Sequence, residues 1–321
     1  MKESNLSGLP ILITCFNRPD LLRQTLVPLK NSPLPLRIYF HIDGARPVNE
    51  TDQSFIDTSI AIIEEFAMDR QVQIKVQPMN LGMREAMLSA ISWFFSMEEY
   101  GLILEEDVVV HPGVLPLVLE TLQSNQDNHN VGAISLHNLL PSSLTPINCD
   151  AYLTNIVFIW GWGTWRRVWA NTRHDLSNVY QRCEETQVKR QIGLFGYFYF
   201  LKFLLRKAKS SWDGSFMLSL WERKLKTIHF CESLCTNIGF DERATNTKEV
   251  KFGQRVPPAD IEFSWQHIRL QSSFDKQFEK KLVSEVFGLN GFRIRTYLFR
   301  WYLREYIRFK LKLSSAFNSD H

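Results

Sequence analysis

Three consecutive acids, Glu105-Glu106-Asp107, follow the apolar run Leu102-Ile103-Leu104. A carboxylate cluster directly after a buried parallel strand lies at the carboxyl edge of the sheet, where ligands of open α/β folds bind. Hard divalent cations such as Mn²⁺ or Mg²⁺ prefer oxygen ligands, are held by one or two carboxylates, and complete their shells with water and a diphosphate. A cation so held neutralises charge developing on a leaving group. The same three acids would also serve as an ordinary solvated turn.

Asp43 ends a second apolar run, Leu36 to Ile42, and so reaches the same edge. It is placed for a base or ribose contact, or for a plain Asp-Gly turn. Asn80-Leu81-Gly82-Met83-Arg84 opens a helix, and a helix N-terminus with an added arginine suits phosphate oxygens. Asn-x-Gly before a helix is also simple capping chemistry. Trp160-Gly161-Trp162-Gly163-Thr164-Trp165 gathers three indoles and two glycines, a composition for stacking on sugar faces or for an aromatic core corner. Trp212-Asp213 sets a carboxylate beside apolar surface, which raises its pKa toward the range of a general base.

The elements that must position these residues alternate between strand and helix through the first half of the chain, which predicts a mostly parallel sheet covered by helices. Strands are expected at Pro10 to Cys15, Leu36 to Ile42, Val72 to Val76, Leu102 to Leu104 and Val131 to Leu136. Asn17 is expected to cap a first helix with Pro19 in its first turn. Further helices are expected from about Asp52 to Met68, from Gly82 through Phe95 with apolar residues every three or four positions, and from His111-Pro112 to about Ser124. Beyond Pro146 the alternation stops, and two aromatic stretches follow, Ile159 to Trp169 and Phe195 to Phe203. His229, in an apolar context, reads as a core histidine rather than a ligand.

A net charge of +3 over 321 residues does not announce a nucleic-acid binder. Five cysteines without a CxxC pair argue against a disulfide framework and for a reducing cytoplasm. The polar segment Met1 to Gly8 carries neither a signal peptide nor an anchor, and no apolar stretch is long enough to span a bilayer. From Phe292 to Leu313, Arg293, Arg300, Arg304 and Arg308 share one helical stripe, with Ile294, Leu298, Tyr302 and Phe309 away from it. Such a basic amphipathic helix suits either an anionic inner-membrane surface or docking on the catalytic body. The aromatic-basic run Phe195 to Lys209 tips the expectation toward a peripheral membrane contact.

With these pieces in order, the chain resembles GT-A fold glycosyltransferases, and especially bacterial sugar transferases related to the N-acetylglucosaminyltransferase I group. The resemblance runs from about Pro10 to Thr247 and rests on Ile13-Thr14-Cys15-Phe16-Asn17-Arg18-Pro19, Asp43-Gly44, Asn80-Leu81-Gly82, Leu104-Glu105-Glu106-Asp107, the tryptophan-glycine run and Asn237-Ile238-Gly239-Phe240. It implies a GT-A (Rossmann-like) catalytic domain over residues 1–250 and a helical extension over 251–321. It also implies that Thr14, Asn17 and Arg18 line a nucleotide pocket, that Asp43 contacts the base, and that Arg84 lies near the diphosphate. Asp107 would be the principal metal ligand, Glu106 would face the donor ribose or sugar, and Asp213 would act on the acceptor, while Glu105 is left structural. Trp160, Trp162 and Trp212 are the expected sugar or acceptor contacts. Similar proteins often carry histidine where Asn246 stands, and an amide holds a hard cation more weakly.

The expectation is an inverting glycosyltransferase that uses a nucleotide-sugar donor, UDP-linked, and a saccharide or lipid-linked acceptor in cell-surface polysaccharide or glycan synthesis, with Mn²⁺ or Mg²⁺. Two rival readings are a nucleotidyltransferase, disfavoured because Cys15-Phe16-Asn17-Arg18-Pro19 is not a Gly-rich basic loop, and a non-catalytic membrane-surface protein on the same scaffold.

Overall fold

The computed structural model describes residues 8–68, 70–111, 113–138, 148–175, 179–185, 212–240 and 268–271. The basic C-terminal stripe, the run Phe195 to Lys209 and Asn246 lie outside the described residues, as does nearly all of the expected extension.

The first half builds as its periodicity requires. Strands β1 (Leu9–Cys15), β2 (Leu36–Ile42), β3 (Val72–Val76) and β4 (Tyr100–Glu105) alternate with helices α1 (Pro19–Lys30), α2 (Glu50–Ala67) and α3 (Gly82–Met97). β1 lies between β2 and β4, parallel to both, and Leu9, Ile11, Leu12 and Ile13 are wholly buried. A strand covered on both faces must be apolar without alternation, and this run is. β3 pairs only with β2 and leaves Ile74 and Val76 partly exposed, as an edge strand does.

After β4 come β5 (Val108–Val110), α4 (Leu115–Ser124), β6 (Val131–Ser135), β7 (Ala151–Thr154), β8 (Trp162–Trp165), α5 (Arg166–Trp169), α6 (Val179–Glu185), α7 (Asp213–Glu222), β9 (Lys226–Phe230), β10 (Cys235–Asn237) and β11 (Leu270–Gln271). Among the described residues the main sheet runs β11-β7-β9-β6-β8-β4-β1-β2-β3. β8 runs antiparallel to both β4 and β6, so the sheet is mixed but mostly parallel, and β10 pairs with β5 in a separate two-stranded ribbon. This is the expected α/β class, a mostly parallel sheet flanked by helices. No described helix is long and apolar enough to cross a membrane.

Two local expectations are corrected. Arg18, not Asn17, occupies the N-cap of α1 and makes no side-chain capping bond, because Asn17 is drawn away to a residue of α2; Pro19 does take the first turn. Helix α4 starts at Leu115, with Pro116 near its N-terminus, and not at His111, whose N–H is instead bonded to the Leu234 carbonyl.

Burial also keeps His41, His137 and His229 neutral. Each is held down to about 4, chiefly by loss of hydration. His229 packs on Tyr152 and Phe158 and bonds the Ile156 carbonyl through Nε2 at 2.7 Å, as a core histidine. A group whose folded pKa is depressed below its unfolded value loses its contribution as pH falls through the folded one. Stability is therefore expected to fall from pH 6.5 to pH 4, each histidine contributing at most about 1.4 kcal/mol per pH unit. Thermal melting across that range checks this, and His229→Gln should make the decline shallower; a flat profile in the parent would contradict it.

Candidate active site

The carboxyl ends of β1, β2 and β4 converge on one cavity of about 550 Å³. It is lined by Thr14, Phe16, Asn17, Arg18, Asp43, Glu105 and Glu106, with Arg46, Phe55, Gly82 and Met83 on its other walls. Each strand delivers its last residues here because parallel neighbours end at the same edge. Five expected donor-site residues, Thr14, Asn17, Arg18, Asp43 and Glu106, thus share a single cavity.

Their bonding refines what each can do. The Thr14 hydroxyl donates to the Leu104 carbonyl at 3.3 Å, tying β1 to β4 beside the acids. Asp43 is a clasp: Oδ1 accepts from the N–H groups of Gly44 (2.9 Å) and Leu81 (2.8 Å), and Oδ2 from Asn80 Nδ2 (3.0 Å) and the Gly82 N–H (3.2 Å). Burial pushes its carboxyl up, and the backbone donors oppose that. About four acceptor sites are all a carboxylate has, so Asp43 fixes the entry to α3 and has no site spare for a base. A Cβ at Gly44 would collide with the Met79 backbone, which the clasp draws against it.

Glu106 is likewise engaged. Its Oε2 accepts from the Phe16 N–H at 2.7 Å and its Oε1 from Arg18 Nε at 3.0 Å, while its own carbonyl takes the Thr25 hydroxyl at 2.8 Å. It is 2% exposed, holds the β1–α1 turn in shape and still lines the cavity on its expected donor side. Arg18 spans both acids, reaching Asp107 Oδ2 through Nη2 at 2.7 Å. Asn237 Nδ2 approaches Asp107 Oδ1 at 3.5 Å, and a Cβ at Gly239 would collide with Asp107 Oδ2. A residue with any side chain there would break the pair, which explains glycine at that position.

Glu105, set aside as structural on sequence grounds, lines the cavity beside Glu106. Burial pushes its carboxyl up to about 8, helped by the negative charges of Asp107, Glu106 and Asp213. Asp213 is the first residue of α7, half-buried, and close enough to act on Glu105. The expected base and the acidic cluster are therefore neighbours although 106 residues separate Asp213 from Asp107.

A divalent cation at Asp107 does not fit this arrangement. One oxygen is paired with a guanidinium and the other faces an amide, and among the described residues no three His, Cys, Asp or Glu side chains converge on a metal position. The positive charge against these acids is Arg18's.

The remaining expected residues lie elsewhere. Arg84 bonds its neighbour Glu85 and the His174 carbonyl (2.9 Å), and does not line the cavity. Trp162 and Trp212 stack on each other at 5.4 Å, 1% and 3% exposed, because β8 runs through the middle of the sheet and buries its side chains; neither offers a face to a sugar. Trp160 is half-buried, edge-on to His137 (5.1 Å) and Phe240 (5.5 Å).

Residues 11–153 match the model of the family described as Glycosyl transferase family 2. No curated protein matches the chain. Among solved structures, the mannosyltransferase PcManGT from Pyrobaculum calidifontis, in complex with GDP-Man and Mn²⁺, aligns at 13% identity over 51% of this chain with a TM-score of 0.35. The chain spans 46% of that protein's length. The galactosyltransferase LgtC, with donor and acceptor sugar analogues, aligns at 12% identity over 68% of this chain and 73% of its own, TM-score 0.37. A 4-diphosphocytidyl-2C-methyl-D-erythritol synthase from Anaerococcus prevotii aligns at 12% identity over 72% of this chain and 92% of its own, TM-score 0.35.

Proposed function

We propose that this chain transfers a glycosyl group from a nucleoside-diphosphate sugar, UDP-linked, to a hydroxyl of a saccharide or lipid-linked acceptor, with inversion. The observation that carries the reading is the meeting of Thr14, Arg18, Asp43 and Glu105 at one cavity, inside the stretch that matches a glycosyl transferase family. The sugar is a hexose or N-acetylhexosamine, and the products serve cell-surface polysaccharide or glycan synthesis.

In this mechanism the donor occupies the cavity with its diphosphate toward Arg18, whose charge offsets that developing on the leaving group. Glu105, one of the two cluster acids that line the cavity, accepts a hydrogen bond from a donor hydroxyl. Asp213 takes the proton from the acceptor hydroxyl as its oxygen attacks the anomeric carbon, in line with the departing diphosphate. Holding both partners in that line is worth several powers of ten by itself.

Ligands that bind only the folded state raise its stability, by about 2.7 kcal/mol at a hundredfold excess over Kd. Thermal melting with UDP, GDP, CDP and ADP, each with and without Mn²⁺, should show an upward shift for UDP. No shift with any nucleotide would overturn the reading.

A further inference from the structure

The cavity wall formed by Phe16, Asn17 and Arg46 comes from two loops that share no strand pairing at those residues, one after β1 and one after β2. A single side chain joins them. Asp52, in the first turn of α2, accepts from Asn17 Nδ2 at 2.8 Å and Arg46 Nη2 at 2.8 Å on Oδ1, and from Arg46 Nε at 2.6 Å and the Arg46 N–H at 3.2 Å on Oδ2. Four donors saturate a carboxylate.

Helix capping does not account for it. Asn49 already caps α2, its Oδ1 accepting the Thr51 N–H at 3.1 Å, and a first-turn acid that only favours the helix dipole stays in water. Asp52 is 0% exposed. Burying a carboxylate is costly unless it is paired and fully bonded, so this one is committed to holding Arg46 and Asn17. The fork it makes with Arg46 fixes the plane of the guanidinium, which then lies over the Phe16 ring at 5.2 Å. Among the described residues Nη1 is the one nitrogen of that guanidinium that meets no acceptor, and Arg46 lines the cavity.

We propose that Asp52 is a positioning residue of the nucleotide site: through Arg46 and Asn17 it presets the wall, and Arg46 contributes a cationic donor to the bound nucleoside diphosphate. This rests on the donor reading above. Pre-organised walls raise affinity by removing the cost of ordering side chains on binding. The effect therefore falls mainly on the donor KM and Kd.

Calorimetry with UDP on the full chain tests it in a cycle of parent, Asp52→Asn, Arg46→Met and the double variant. Each single change should weaken Kd at least tenfold. The double should lose less than the product of the two single losses, because Asp52 acts in large part through Arg46. Donor KM should rise in parallel, with the larger share of the loss in kcat/KM falling on KM. A Kd for Asp52→Asn equal to the parent's, or losses that multiply in the double variant, overturns the positioning role and leaves the transferase reading standing. A parent that binds no nucleoside diphosphate overturns both. Should Asp52→Asn fail to fold, Arg46→Lys keeps the charge without the fork, and a Kd within twofold of the parent then overturns the proposal.

Discussion

Asp213→Asn is expected to lower kcat by about 10²- to 10⁴-fold, the usual worth of a positioned general base, with nucleotide affinity within threefold of the parent. The substitution preserves shape and removes only the ability to take a proton. Asp213 begins α7, half-buried behind the core indole of Trp212, and sits close enough to Glu105 to raise its pKa. That neighbourhood sets a carboxylate next to an acid that lines the donor cavity, where a proton acceptor for the incoming hydroxyl is needed. Steady-state kinetics with the donor varied, together with calorimetry for the nucleotide, separate the two effects. Full activity in the variant would remove Asp213 from the mechanism.

Arg18→Met is expected to cost about 3–5 kcal/mol of stability, since removing one partner of a buried ionic cluster leaves the others uncompensated. Arg18 is the side chain that holds both Glu106, at 3.0 Å, and Asp107, at 2.7 Å, and those two acids are nearly inaccessible to water. Nucleotide binding should be lost as well, because the β1–α1 turn is shaped by the same contacts through the Phe16 N–H. Arg18→Lys should recover part of the stability only, as a single ammonium cannot fork across two carboxylates. Urea melts of the three proteins measure this, and a loss below about 1 kcal/mol in Arg18→Met would mean that the acids find another partner.

The sequence made part of this legible for a physical reason. Buried parallel strands must be apolar throughout, so Pro10 to Cys15 and Leu36 to Ile42 announce themselves, and whatever follows them must reach the carboxyl edge. On that ground Asp43 could be assigned to the same edge as the acidic cluster, while Thr14, Asn17 and Arg18 were placed there by the resemblance. Bond partners were not legible. The Arg18 to Asp107 pair joins residues 89 positions apart (107 − 18), and nothing in either local pattern points to the other. Asp52 reads as an ordinary first-turn acid until the loops after β1 and β2 close on it.

The tryptophan run shows the opposite limit. Trp160 to Trp165 has a composition that suits a sugar surface and a core corner equally, and the antiparallel passage of β8 between β4 and β6 decides for the core at Trp162 and Trp165. Topology of that kind depends on pairing partners some thirty to sixty residues away, which no local period encodes. Glu105 resists assignment for a related reason: three adjacent acids look alike in sequence, and only the bonds made by Glu106 and Asp107 tell their places apart.

The central claim is that the cavity between β1, β2 and β4 holds a nucleotide-sugar for transfer. It is tested most directly by measuring release of nucleoside diphosphate from a panel of UDP-, GDP-, CDP- and ADP-sugars by the parent protein and by Asp213→Asn. The account predicts slow release from UDP-hexoses or UDP-N-acetylhexosamines by the parent, accelerated by a suitable saccharide, with the acceleration absent in Asp213→Asn. No release from any donor by the parent, or acceptor-stimulated release that survives in Asp213→Asn, would contradict it.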